Sequence, residues 1–213
     1  MIAADVVILT IEDNLLKVLL IEMKKRPYSK HWALPGGLVK PHESLDKAAN
    51  RHLAEKAGVK DAYLEQLYAF GDVDRDPFGR VVSVAYMALV ASSGLKLKTT
   101  KEYAGVKWFA VNRLPLLAYD HKKIIGYAIA RLKAKLEYTN IVYSLLPAEF
   151  TLSSLQNIYE IIHEKKMDKR NFRKKILSLE LVRALDRKER GRANRPPELY
   201  SFAKRSPQIV QIL

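Results

Sequence analysis

Cysteine is absent from this 213-residue chain, which excludes a disulfide framework, a thiol nucleophile and thiolate-ligated zinc. Long apolar runs are absent as well: no stretch approaches the roughly 20 residues needed to cross a bilayer. The segment from Met1 to Thr10 has no basic leader, and its apolar run breaks at Glu12 and Asp13, so it reads as a strand and not as a signal peptide. An unexported protein of the cytoplasm, without membrane contact, is expected. Repeats and low-complexity tracts are also missing. With 48% hydrophobic and 28% charged residues, the composition excludes a mainly disordered chain. The length suits two modest cores.

Positive charge is what the chain has in excess. The formal net charge is +14, and chains of this kind meet polyanions such as nucleic acid, phosphorylated ligands or membrane surfaces. Residues 147–213 hold 15 Lys and Arg against 8 Asp and Glu, whereas residues 1–146 hold 22 against 15. The C-terminal third is therefore about twice as basic per residue. On charge alone, a solvated lysine-rich surface is the plain alternative.

The pattern along the chain predicts a hairpin over residues 5–11 and 16–23, a brief strand at Trp32-Ala33-Leu34, and a chain reversal at Pro35-Gly36-Gly37. Ser44 is placed to cap a helix with Leu45, Ala49 and Leu53 on one face, and Gly58 to end it. Residues 62–70, 80–90 and 106–109 read as strands, and 120–136 as a helix with Ile125, Ala128, Ile129, Leu132 and Leu136 at helical spacing. After Leu146-Pro147 the pattern changes. Thr151 caps an apolar-striped helix, a second helix follows Asp168, and strands at 181–185 and 198–202 flank a long basic loop. Helix, turn, helix and hairpin make a winged helix, so the fold class is α+β with a domain boundary at 146–147.

Chemistry concentrates in two motifs. Gly37 is followed after five residues by Glu43, and after seven more by Arg51-His52-Leu53-Ala54-Glu55-Lys56-Ala57-Gly58-Val59. This resembles the Nudix box, Gly-x5-Glu-x7-Arg-Glu-U-x-Glu-Glu-x-Gly-U, with U aliphatic. The resemblance implies an α/β/α sandwich with a mixed sheet, whose box helix presents carboxylates to Mg²⁺, a hard cation that takes oxygen ligands. Here two of those acids are His52 and Lys56. An ammonium about 4 Å from a dication is opposed by several kcal/mol even at an effective dielectric near 20, so no hydrolase activity, no metal and no cofactor are expected. His52 and Lys56 are expected to face solvent without a role, and Arg51 and Glu55 to form a helix-surface ion pair. A cleft of this kind can still bind a diphosphate. Arg26, Lys30, the amides near Gly36 and Gly37, Arg51, Arg75 and Arg80 are the candidate cradle, although each alone is more often a solvated charge.

In the second motif, residues 167–177, helical phase turns Phe172 and Ile176 inward. It turns Arg170, Arg173 and Lys174 outward, with Lys169 and Asn171 beside them. A recognition helix needs this division, apolar residues to seat it and Arg or Asn to reach phosphates and base edges. The loop carrying Arg187, Lys188, Arg190, Arg192 and Arg195 suits a wing lying along phosphates. A solvated basic helix is the alternative that this wing argues against.

Taken end to end, the chain is similar to the Nudix-related transcriptional regulators of the NrtR type. The segments carrying the likeness are Trp32 to Gly37, Gly71 to Tyr86, Leu145-Leu146-Pro147, Phe150-Thr151-Leu152, Arg170 to Arg173 and Leu199 to Phe202. The resemblance implies a homodimeric repressor of NAD-metabolism genes, in which residues 1–146 bind ADP-ribose and residues 147–213 bind operator DNA. It also leaves room for a pentose or sugar derivative as effector, and for a pyrophosphohydrolase with an accessory basic domain.

Overall fold

The computed structural model describes residues 1–59, 62–92, 97, 103–189 and 196–213. The chain divides into two compact units, one of Met1–Glu12 with Leu16–Arg131 and the other of Asp13–Leu15 with Leu132–Leu213. The expected boundary at 146–147 falls in the second unit, just after a 3-10 helix at Ile141–Leu145.

The first unit is built on a seven-stranded mixed sheet. Strands β1 (Ile2–Glu12), β2 (Leu15–Met23), β3 (Trp32–Ala33), β5 (Tyr63–Phe70) and β6 (Val82–Leu89) run in the order β3-β2-β1-β6-β5. The short β4 (Gly36–Leu38) pairs antiparallel with β1, and β7 (Tyr103–Ala110) pairs antiparallel with β2. β1 and β6 run parallel from Ile2 opposite Val82 to Leu9 opposite Leu89, which makes the sheet mixed. A strand with both faces covered needs no polar alternation. Accordingly Val6, Val7, Ile8 and Leu9 are all fully buried.

Helix α1 (Leu45–Ala57) forms as its punctuation predicts. The Ser44 side chain accepts from the Lys47 amide, and Gly58 at φ 67° returns its N–H to Ala54, a left-handed cap that glycine adopts without a Cβ clash. Ala49 and Leu53 from α1 meet Val6, Ile8, Leu19, Tyr86 and Ala88 in one core cluster. Helix α2 (His121–Tyr138) buries Ile124, Ile125 and Ala128. Both tryptophans belong to this unit, and Trp32 packs edge-on to Phe109 at 4.6 Å.

The second unit is a winged helix. Thr151 and Ser154 form a reciprocal capping box at the start of α3 (Leu152–His163), and the Asp168 side chain caps α4 (Lys169–Ser178) by accepting from the Asn171 amide. Both caps satisfy first-turn amides that have no helical partner. Leu155, Ile158, Tyr159 and Ile162 of α3 are buried together with Phe172 and Ile176 of α4, and the Tyr159 and Phe172 rings meet at 5.4 Å. β8 (Val182–Lys188) and β9 (Glu198–Phe202) form the hairpin, to which Phe150 adds a bridge through reciprocal backbone bonds with Tyr200. Among the described residues no helix is long and apolar enough to cross a membrane.

Candidate ligand pocket and nucleic-acid interface

β1 and β4 lie so close beneath the first unit's pocket that Asp5 pairs with Gly36. A Cβ on Gly36 would lie 2.0 Å from Asp5 Oδ1 and 2.8 Å from the Ala4 carbonyl, so no side chain fits there. Gly37, at φ 154°, crosses above α1, and a Cβ there would come to 3.2 Å from His52 Cε1. The box glycines thus let backbone pass where any other residue would block it.

Around Asp5 sits a buried polar network. Ser83 donates to Asp5 Oδ2 at 2.5 Å, Arg75 stands 3.6 Å from that oxygen, and His121 Nε2 lies 3.8 Å from it. His121 Nδ1 accepts the Leu34 amide at 2.9 Å, so the proton of the neutral ring is assigned to Nε2, facing Asp5. Burial lowers the His121 pKa, which keeps the ring neutral. Arg75 grips Asp120 with two parallel bonds of 3.0 and 2.7 Å and is itself buried. Together with Lys56, Asp76, Phe78, Tyr103 and Tyr119, these groups line a pocket of about 320 Å³. Burial pushes the Tyr119 phenol up to about 12.

The box helix corrects one expectation. His52 and Lys56 do not face solvent; they are 3% and 8% exposed. The Lys56 ammonium donates to the Gly36 carbonyl and to Tyr103 Oη, and it lies 4.8 Å from the centre of the Tyr103 ring. His52 is pushed down to about 4, by burial first and then by the Lys56 charge, so it is neutral at pH 7. Neither of its ring nitrogens has a side-chain or backbone partner within bonding geometry among the described residues. The helical phase was read correctly, but polar identity was taken for exposure.

The remaining box acids are engaged elsewhere. Arg51 binds both carboxylate oxygens of Glu43, reaches the Leu38 carbonyl at 3.3 Å, and stands 3.6 Å from an exposed Glu55. The guanidinium holds Glu43 down at about 2. With an ammonium on the pocket wall and Glu43 clamped by Arg51, this donor set does not fit a hard dication, which needs several free oxygen ligands. Among the described residues no three His, Asp or Glu side chains cluster as metal ligands.

Of the candidate cradle, Gly36, Gly37 and Arg75 line the pocket. Arg51 fastens the loop between β4 and α1, and Arg80 donates to the carbonyls of Gly71 and Asp72. Arg26 and Lys30 are exposed and line no part of the pocket. Sequence reasoning passed over Asp5, Lys56, Tyr103, Tyr119 and His121. Asp5 had a legible signal, a single acid inside an apolar strand.

On the second unit, Lys169 and Arg173, one turn apart on α4, join Arg187 and Lys188 of β8 and the first turn of α3 around an open cleft of about 800 Å³. Arg170, Asn171 and Lys174 are exposed on α4 outside that cleft. Arg187 pairs with Glu149 at 2.5 Å on the surface. Arg190, Arg192 and Arg195 lie outside the described residues. Cations from a helix and from the hairpin that follows it, converging on one cleft, are the arrangement by which a winged helix meets a polyanion.

Residues 1–132 match the NUDIX domain family, and residues 142–202 match the NrtR DNA-binding winged helix domain. One chain carrying both is a Nudix-type transcriptional regulator. The ADPR responsive transcriptional repressor NtrR of Acinetobacter baylyi is 36% identical over 203 residues, spanning 93% of this chain and 80% of that protein. The crystal structure of Shewanella oneidensis NrtR complexed with a 27mer DNA is 33% identical with a TM-score of 0.83, covering 94% of this chain and 93% of that one. The NUDIX domain of the same Shewanella protein, complexed with ADP ribose, is 36% identical with a TM-score of 0.56, covering 62% of this chain and 88% of that one. The chain belongs to the NrtR family of transcriptional regulators.

Proposed function

We propose that this protein is a DNA-binding repressor whose first unit senses ADP-ribose without hydrolysing it. Residues 1–146 serve as the effector half and residues 147–213 as the DNA-binding half, in a homodimer that reads two half-sites of a symmetric operator. The observation that carries the reading is Lys56, buried on the pocket wall where a Nudix hydrolase has an acid. That pocket suits a diphosphate ligand and not a metal-bridged reaction. Support for the two partners comes from relatives, one of them complexed with DNA and one with ADP ribose.

The test is fluorescence anisotropy of duplexes from the promoters of NAD-metabolism genes, titrated with and without ADP-ribose. Operator binding that ADP-ribose reverses is expected, with light scattering giving a dimer. Release of AMP from ADP-ribose with Mg²⁺ or Mn²⁺, at the usual enzyme turnover of about 1–1000 per second, would overturn the inactive reading. An absence of DNA binding would overturn the repressor reading.

A further inference from the structure

We infer that the Lys56 ammonium stands in for the divalent ion of a Nudix hydrolase, so that the effector's diphosphate docks on a cation tethered to the chain and needs no metal. This rests on the effector reading above and concerns how that pocket takes its ligand.

Geometry carries the argument. Lys56 follows His52 by four residues on α1, so the two side chains share a face, and its ammonium reaches the pocket wall. Its bonds to the Gly36 carbonyl and Tyr103 Oη, with the Tyr103 ring 4.8 Å away, fix it from several sides. A flexible lysine would lose side-chain freedom on binding a ligand, and this one has already lost it. The approach is also open. A Cβ at residue 37 would stand 3.7 Å from Nζ, and glycine leaves that space clear for a phosphate oxygen.

The other cation of the pocket is already balanced. Arg75 gives both arms of its guanidinium to Asp120 and stands 3.6 Å from Asp5. The bonds described for Lys56 go instead to neutral oxygens, a carbonyl and a phenol. Its neighbour His52, kept neutral, adds no competing like charge. An acid at position 56 would repel a diphosphate and require an ion to bridge them. A lysine reverses the sign of that interaction and makes the bridge unnecessary.

The test is calorimetric titration of the full chain with ADP-ribose, in EDTA and in excess Mg²⁺, across a salt series, for wild type, Lys56→Met and Lys56→Gln. Wild-type Kd should agree within about twofold between EDTA and Mg²⁺, and each variant should bind at least about tenfold more weakly. The slope of log Kd against log salt should also flatten in both variants, a change that a merely structural lysine would not produce. Wild-type binding that needs Mg²⁺ overturns the inference, and so do folded variants that bind as wild type does. Should neither variant fold, the wild-type comparison of EDTA with Mg²⁺ still decides it. No wild-type binding in either condition overturns the effector reading itself, and with it this inference.

Discussion

Replacing Asp120 with Asn keeps the shape of the side chain and removes one charge from the pocket's ion pair. Arg75 is 6% exposed and makes two bonds to Asp120, at 3.0 and 2.7 Å. Breaking such a buried pair from one side costs about 3–5 kcal/mol, because the remaining charge is left uncompensated. Asp5, 3.6 Å from the same guanidinium, keeps part of the compensation. The expected loss for Asp120→Asn is therefore about 2–4 kcal/mol. Arg75→Met is also destabilising, since it strips Asp5 and Asp120 together. The double variant should fall short of the sum of the two by about 1–3 kcal/mol, since each removes the other's reason to be charged. Native-state hydrogen exchange of the β1 amides is the assay, because their protection reports opening of the first unit specifically. A loss under about 1 kcal/mol for Asp120→Asn, or strict additivity in the double variant, would refute the reasoning.

Three further outcomes are expected. Arg173→Ala should cost about 1–3 kcal/mol on operator and relax preference at one base pair per half-site. Arg187→Ala should weaken operator and scrambled duplexes alike and shrink the salt slope by about one unit, as an anisotropy salt series will tell. His52 has a native pKa of about 4 against an ordinary 6.5, so its neutral form stabilises the fold. That contribution is whole above about pH 6.5 and lost as pH falls through 4, amounting to about 3 kcal/mol. Urea midpoints of wild type and His52→Leu should diverge over that window, and parallel pH profiles would count against it. Tyr159 is fully buried, and its hydroxyl has no partner among the described residues. Tyr159→Phe should therefore stabilise the second unit by about 1–2 kcal/mol, and a lower melting transition in calorimetry would be the contrary result.

Much of the scaffold was legible because it rests on local rules. Ser44 and Gly58 bound α1, Thr151 and Asp168 cap their helices, and the spacing from Gly37 to Gly58 marks the box, all by chemistry that acts within a turn or two. Phe172 and Ile176 turn inward as their phase requires. The pocket was far less legible, since it is assembled from Asp5, Gly36, Lys56, Arg75, Tyr103 and His121, which no short-range pattern connects. Lys56 shows why. A lysine on a helix is ordinarily solvated, and only the return of β4 and β7 beside α1 supplies the carbonyl and the phenol that hold this one. Arg75 misled in the same way, reading as a loop cation while its partner Asp120 lies 45 residues on.

Trp32 and Trp108, the chain's two tryptophans, stand on β3 and β7, and neither the recognition helix nor the hairpin carries one. Intrinsic emission is thus a private optical channel of the half that holds the pocket. Duplex DNA added to the unlabelled protein meets no emitter on α4, β8 or β9. Any change of tryptophan signal on that addition is light from the sensing half, and it measures communication between operator and effector sites with no dye attached.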